Sequence, residues 1–288
     1  MAYGSFAELK EAAEKAGSIA AAVVELEADE RATDTDNVRA QMRESLGVMR
    51  EAVSLGLSGE VRSRSGLTGG DAAKVTASTR GPLGGPFSAT LAAALATGEV
   101  NASMGRIVAA PTGGASGVLP AVLLEVGRLR GATDEQLVDA LFVAAGIGGV
   151  FAARATLSGA AGGCQAEIGT GAAMAAAAAV ALSGGSAEES GHAASLAMQG
   201  LLGLVCDPIG GLVEVPCVVR NATGAAVALA AAELALAGVV FPVHLDEVVD
   251  AAGQVGRSLP PSLRETALGG LAITPTGKHL GAQSDSCL

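Results

Sequence analysis

Aromatic side chains are nearly absent from this chain of 288 residues. They make up 2% of it, with one Tyr and no Trp, although 50% of the residues are hydrophobic. A core built from such a chain must be filled by Ala, Val, Leu and Gly, and small side chains let helices approach one another closely. Alternating apolar and polar runs, which are typical of strands, are also scarce. We therefore predict an all-α fold, a compact multi-helix domain with roughly ten or more helices.

Positive charge is scarce as well. The net charge is −11, and the chain contains only four lysines. Because phosphate binding needs clustered Lys and Arg, we expect no nucleic-acid partner. The N-terminus lacks the basic start and apolar core of a signal peptide. The Ala-rich stretch 221–241 carries Glu233 near its middle, which is costly in lipid, so we expect a buried helix there. No membrane partner and a cytoplasmic location with reduced thiols follow from these features.

The chain is predicted to form one all-helical domain, 1–288. We divide it into N-terminal amphipathic helices (1–58), a core that forms the functional site with its Gly-rich loops (59–280) and a short tail (281–288). The glycine-rich segment 59–86 is long and irregular, which favours a functional role. The turn PTGGASG (111–117) precedes an apolar helical run, and a helix N-terminus behind such a turn can bind an anion.

Local signals place several helices. Apolar residues recur at steps of three and four over 36–56, which predicts an amphipathic helix. A helix is expected over 87–97, ending at Gly98, and a short one over 262–268. Serine or threonine stands three residues before Glu or Gln at three places, which predicts N-terminal caps; the pairs are Ser5–Glu8, Thr133–Gln136 and Ser186–Glu189.

Three of the four cysteines, Cys164, Cys206 and Cys217, lie among Gly, Pro and acidic residues typical of loops. Their separations of 42 and 11 positions do not fit the close pairs of a structural zinc site. Disulfides between these cysteines would need an oxidising compartment, and we expect a cytoplasmic location with reduced thiols. Three thiolates could hold a cubane iron–sulfur cluster and leave one iron without a protein ligand. Inert core thiols are the alternative, and the spacing does not decide between them.

Long motifs around these cysteines resemble the iron–sulfur-dependent L-serine dehydratases, specifically their alpha chain or catalytic domain. The motifs are GGCQAEIGTGAAMAAAA, GLVCDPIGGLVEVPCVVRNATGA, SGLTGGDAAK, NASMGRIVAAPTGGASGVLPAVL and LRETALGGLAITPTGKHL. The resemblance implies elimination of water from L-serine to give pyruvate and ammonia. It also implies a 4Fe-4S cluster held by Cys164, Cys206 and Cys217.

Five residues of the shared motifs are candidates for the pocket that binds the substrate carboxylate: Ser65, Gly66, Thr112, Gly113 and Ser116. Alternatively, they are ordinary turn and cap residues. Lys74 is the candidate base for the α-proton, since burial would lower its pKa into a useful range. The alternative for Lys74 is a surface lysine paired with Asp71 one helical turn away.

Complete members of the resembled family carry a regulatory module that this chain lacks, so the resemblance implies a separate beta subunit, and we also expect an oligomer. Some fused relatives end in a cysteine that folds back to the cluster. Here Cys287 is penultimate and is a possible further ligand of the open iron. Three alternatives stay open: an L-cysteine desulfidase of the same family, a PLP-dependent lyase that uses Lys74 or Lys278, and a non-catalytic helical subunit.

Overall fold

The structure of the chain is a computed structural model that describes residues 3–285, with the side chain of residue 285 excepted. The predicted all-α class is confirmed, because the described residues form thirteen α-helices and no strand. Cys287 lies outside the described residues. The helices are α1 (Phe6–Ala16), α2 (Ile19–Glu30), α3 (Thr35–Leu57), α4 (Asp71–Ala77), α5 (Gly85–Ala102), α6 (Val118–Arg130), α7 (Asp134–Arg154), α8 (Gly159–Gly162), α9 (Thr170–Leu182), α10 (Ala187–Gln199), α11 (Cys217–Leu236), α12 (Leu245–Ser258) and α13 (Pro275–Asp285).

Helix α9 forms the centre of the fold. Its sequence is TGAAMAAAAAVAL, and every residue over 170–180 is buried. Helices α6, α7, α10 and α11 all pack against it. A helix enclosed on so many sides has no face that can carry long side chains, because neighbouring axes lie about 8–10 Å apart. The run of alanines at the centre therefore explains why so apolar a chain has so few aromatic residues.

The predicted N-terminal caps are confirmed. Ser5 accepts a hydrogen bond from the backbone N–H of Glu8, and complete capping boxes form at Thr133–Gln136 and Ser186–Glu189. The helix predicted over 36–56 is present as α3, although Asp34 is its N-cap. The three capped starts are correct because each depends on residues only three positions apart.

Two predicted boundaries are wrong. Helix α5 continues past Gly98 to Ala102, because Gly98 brings α5 against α11: a Cβ there would lie 3.3 Å from the Cα of Val218. The helix expected over 262–268 is reduced to a 3₁₀ turn at Pro261–Leu263. Glu265 and Ala267, with φ of 63° and 56°, leave the right-handed helical region.

Three segments are long and apolar enough to cross a membrane by length and composition: α7, the stretch Gln165–Leu182 and α11. In the structure, 67%, 83% and 44% of the corresponding windows are buried inside the protein. The stretch 221–241, predicted as a buried helix, is helical only as far as Leu236, within α11, which packs against α5, α9 and α10. Most of the windows in α7 and in Gln165–Leu182 is thus used in helix–helix packing, whereas more than half of the α11 window lies outside the core.

Close backbone contact also joins α3 to α5. A Cβ at Gly56 of α3 would overlap the backbone carbonyl of Ala96 in α5. By contrast, a Cβ at Gly47 of the same helix would meet nothing within 4 Å. The two glycines thus differ in packing while sharing one helix.

We predict that Gly56→Ala lowers the free energy of unfolding by about 1–3 kcal/mol, because the helices must move apart. Gly47→Ala is the matched control and should raise stability by up to about 1 kcal/mol through helix propensity. Urea denaturation of the two variants measures the difference. Equal effects of the two substitutions would contradict the packing role of Gly56.

Candidate active site

The three cysteines of the long motifs come together in the fold. Cys164, Cys206 and Cys217 are free thiols with 3%, 2% and 7% of their surface exposed. The Cys164 and Cys206 side chains hydrogen-bond to each other, and Cys217 is close enough for the charge of Cys164 to act on it. Cys164 precedes a π-helical turn and Cys217 begins α11, whereas Cys206 lies in an extended segment.

Interactions among the three thiols shift their pKa values in different directions. The hydrogen bond with Cys206 lowers the pKa of Cys164, and the Arg220 guanidinium adds to this effect against the cost of burial. The same hydrogen bond and burial raise the pKa of Cys206. Burial, followed by the charge of Cys164, raises the pKa of Cys217 to about 12. Of the three thiols, Cys164 is the one whose pKa is lowered.

The π-helical turn Gln165–Gly169 joins Cys164 to the central helix. Gln165 is 1% exposed and uses both ends of its amide: Nε2 donates to the Ala252 carbonyl and Oε1 accepts from the Gly203 N–H, both at 2.8 Å. These bonds tie the turn to α12 and to the loop that leads to Cys206. Turns of this kind inside α-helices are frequent at functional sites.

A buried ion pair connects the other two cysteine segments. Asp207 follows Cys206, and its Oδ1 lies 2.8 Å from Nη2 of Arg220, three residues after Cys217. Arg220 also donates to the Val205 carbonyl at 2.9 Å, and Oδ2 of Asp207 accepts the Leu271 N–H at 2.7 Å. The pair thus places a positive charge beside the thiols of Cys164 and Cys217 and fixes the segments that carry Cys206 and Cys217.

Glu167 extends from the π-helical turn into the same site. Its carboxylate, the Cys206 thiol and the Glu265 carboxylate lie within 4.8 Å of one another, an arrangement that could hold a metal ion. Thr112 donates its hydroxyl hydrogen to Oε1 of Glu167 at 2.6 Å. Burial raises the pKa of Glu167, the bond from Thr112 opposes this, and the charge of Glu265 raises it further.

The glycine turn at 111–117 borders the thiols. Asn221 of α11 donates to the carbonyls of Gly114 (2.8 Å) and Cys217 (3.0 Å), and its Oδ1 accepts the Gly117 N–H (2.8 Å). One amide side chain therefore holds the turn against the helix that begins at Cys217.

Only some of the residues predicted to form the carboxylate pocket are exposed to solvent. Thr112 and Gly113 are partly exposed, and Gly66 is exposed. Ser65 donates to Glu214, which joins the loop 62–70 to the segment before Cys217. Ser116 is fully buried, and its hydroxyl has no hydrogen-bond partner among the described residues.

Lys74 lies at the surface. Its side chain is 77% exposed and pairs with Asp71 at 2.6 Å across one turn of α4. The start of α4 is held instead by Glu99, which is 1% exposed and accepts the N–H groups of Asp71 (2.6 Å) and Ala72 (3.3 Å). The structure therefore has Lys74 in the alternative arrangement, a paired surface lysine, and its role as base stays a prediction.

Three charged residues of the site were not predicted from the sequence: Glu167, Asp207 and Arg220. Each stands inside a motif that is otherwise apolar or glycine-rich. A charged side chain in such a setting is rarely buried unless it is paired or hydrogen-bonded. A charged residue inside such a motif was the signal that the sequence offered, but it does not identify the residue with which the charge pairs.

Fold and site together define an all-helical protein with three buried thiols beside a glycine turn and a glutamate that accepts a hydrogen bond from that turn. A family model described as serine dehydratase alpha chain matches residues 14–272. The chain belongs to this family.

Several named proteins are similar to this chain. One from Bacillus subtilis (strain 168), named probable L-serine dehydratase, alpha chain, is 50% identical over 85% of this chain and 82% of its own length. The L-serine dehydratase alpha chain of Peptoniphilus asaccharolyticus is 50% identical over 69% of this chain and 68% of its own. The L-serine dehydratase of Streptomyces coelicolor (strain ATCC BAA-471 / A3(2) / M145) is 39% identical over 92% of this chain but only 59% of its own length.

Removing one partner of the Asp207–Arg220 pair leaves a buried charge without compensation. We predict that Asp207→Asn and Arg220→Met each lower the free energy of unfolding of the metal-free chain by about 3–5 kcal/mol, and that the double variant loses less than the sum. The exposed pair Lys15–Glu11, with side chains 74% and 67% exposed, is the control and should give no measurable change. Strictly additive losses would contradict the pairing.

Proposed function

We propose that this chain is the alpha subunit of an iron–sulfur-dependent L-serine dehydratase, a cytoplasmic lyase that eliminates water from L-serine to give pyruvate and ammonia. The observation that carries the proposal is the meeting of three free buried thiols in a chain of the serine dehydratase alpha chain family. The names of the relatives support L-serine as the substrate.

The donor set fits an iron–sulfur cluster. Thiolates are the usual protein ligands of such clusters, and Cys164, Cys206 and Cys217 are buried, free and close enough to affect one another's ionisation. The guanidinium of Arg220 reduces the electrostatic cost of gathering three thiolates in one place. When bound by these three residues, a 4Fe-4S cluster supplies an iron without a protein thiolate, a Lewis acid for the β-hydroxyl of serine.

The residues of the chain then have distinct proposed roles. Thr112, Gly113, Ser65 and Gly66 offer hydroxyl and N–H donors to the substrate carboxylate, as predicted from the sequence. Ser116 is buried beneath the turn, so its proposed contribution is through the shape of the turn. Lys74 is retained only as the predicted base, because its exposure and its pairing with Asp71 do not activate it.

We predict that anaerobic purification or reconstitution gives a brown protein with a broad absorption that air bleaches, and that this protein releases pyruvate from L-serine. Cys206→Ser should lose bound iron and activity together, since serine is a poor ligand for a soft site. Cys287→Ser is the matched control: retained iron would show that three cysteines suffice, whereas iron loss would make Cys287 a fourth ligand.

The same preparations separate the alternatives. A sharp aldimine band would indicate a PLP enzyme, and the absence of any chromophore after reconstitution would indicate a non-catalytic subunit. Faster release of sulfide from L-cysteine than of pyruvate from L-serine would indicate a desulfidase. Full iron content and turnover in Cys206→Ser would overturn the ligand assignment.

We also propose a beta-subunit partner. The match to the Streptomyces coelicolor protein covers 92% of this chain but 59% of that protein, which therefore contains sequence beyond the part that this chain matches. A separate chain would supply the corresponding module here, within an oligomer. This proposal is independent of which substrate the enzyme prefers.

We predict that co-expression with a beta chain raises turnover per bound cluster by at least about tenfold, an amount that one completed site contact can supply. Size-exclusion chromatography and steady-state kinetics of the alpha chain with and without its partner measure this. Equal turnover per cluster in both preparations would contradict the need for a partner.

A further inference from the structure

Positive charge is scarce around Glu167. Two arginines lie near the thiols: Arg220 is paired with Asp207 at 2.8 Å, and Arg264, which is bridged to Cys206, donates to the Ala161 carbonyl at 3.4 Å. Within residues 3–285, Glu167 forms no ion pair; its hydrogen bond comes from the neutral hydroxyl of Thr112. The neighbours within 4.8 Å, the Cys206 thiol and the Glu265 carboxylate, are groups that carry no positive charge. Because no Lys or Arg of the described residues pairs with this partly buried carboxylate, a cationic group of a ligand would stabilise its ionised form.

The position of the carboxylate is well defined. Glu167 stands on the π-helical turn three residues after Cys164. Thr112 fixes Oε1, while Oε2 faces Gly159, where a Cβ would come within 2.5 Å of it. Among the described residues, Oε2 accepts no hydrogen bond. One oxygen of the carboxylate is thus oriented by the protein, and the other is left without a hydrogen-bond donor from the described residues.

L-serine needs three binding groups close together, because its carboxylate, ammonium and hydroxyl groups are joined through only two carbon atoms. In the proposed function the carboxylate lies at the glycine turn and the hydroxyl lies on the side of the thiols. The ammonium must therefore lie between them. Glu167 spans that interval, since its carboxylate contacts Thr112 of the turn and lies within 4.8 Å of the Cys206 thiol.

The other carboxylates nearby are placed less well for this purpose. Glu214 is 5% exposed and accepts the hydrogen bond of Ser65, so it joins two loops. Glu265 stands on a loop residue with φ of 63° and has no contact with the glycine turn in the described structure. Of the three, Glu167 alone contacts a residue of the predicted carboxylate pocket and also lies beside a thiol.

We infer that Glu167 binds the α-ammonium group of the substrate and thereby selects 2-amino acids over 2-hydroxy acids. The inference rests on the proposed function and adds a specificity residue to it. The chemistry suits the reaction, because an amine kept in its ammonium form withdraws electrons from the α-carbon and makes loss of the α-proton easier. A 2-hydroxy acid such as glycerate has no positive charge to offer and leaves the carboxylate unpaired in a partly buried site.

Glu167→Gln in the cluster-loaded protein tests this, with Glu265→Gln as the matched control. Binding of L-serine and of L-glycerate, which differ only in the ammonium group, is measured by calorimetry, and KM and kcat for L-serine are measured in parallel. We expect Glu167→Gln to weaken L-serine binding by about 10- to 100-fold, the usual effect of losing a charge-assisted hydrogen bond. Binding of L-glycerate should change little, and the loss should appear mainly in KM.

The controls separate the possible failures. Iron content and absorption of Glu167→Gln should match those of the parent protein, and Glu265→Gln should leave the ratio of L-serine to L-glycerate affinities unchanged. If Glu167→Gln does not retain iron, Glu167→Asp, which keeps the charge but shortens its reach, is expected to give a smaller change of the same ratio. An unchanged ratio in the Glu167 variant that retains iron overturns the inference, as does a ratio that changes only in Glu265→Gln. If the cluster-loaded parent protein itself does not convert L-serine, the proposed function fails instead.

Discussion

Close contact between helix backbones around α9 is the constraint on which the rest of the structure depends. The helix is enclosed by α6, α7, α10 and α11, and residues 170–180 have no exposed face. Met174 is the largest side chain within that run, and its sulfur would lie 3.1 Å from a Cβ placed at Gly148 of α7. Stability therefore comes from many small, well-packed contacts and not from a few large aromatic ones.

This constraint reaches the site directly. The π-helical turn that carries Gln165 and Glu167 runs into α9, and α11, which begins at Cys217, packs along the same helix. Two thiols are thus attached to elements that the core holds rigidly. The third, Cys206, is held by backbone bonds, from its N–H to the Leu263 carbonyl at 2.9 Å and from the Glu265 N–H to its own carbonyl at 2.7 Å.

Features that depend on near neighbours in the chain could be predicted from the sequence, while those that depend on distant neighbours could not. The helical class and the caps at Ser5, Thr133 and Ser186 follow from local patterns. The helix end predicted at Gly98 was wrong because the sequence does not distinguish a glycine that ends a helix from one that lets a neighbouring helix pack closely. The hydrogen bond from Thr112 to Glu167 joins residues 55 positions apart, so no local sequence pattern predicts it. The grouping of the cysteines was anticipated only through the resemblance of long motifs.

The burial of the thiols has a consequence for how a cofactor would be delivered. With 7% or less of any of the three cysteines exposed, the thiols offer iron and sulfide little direct contact at the folded surface. Cys164 precedes the π-helical turn, Cys217 begins a core helix, and Cys206 lies in a short extended segment paired with Arg264. A cofactor that binds after folding would therefore reach its ligands only when part of this packing opens. Burial of the ligands would in this way couple assembly of the cofactor to local opening of the fold.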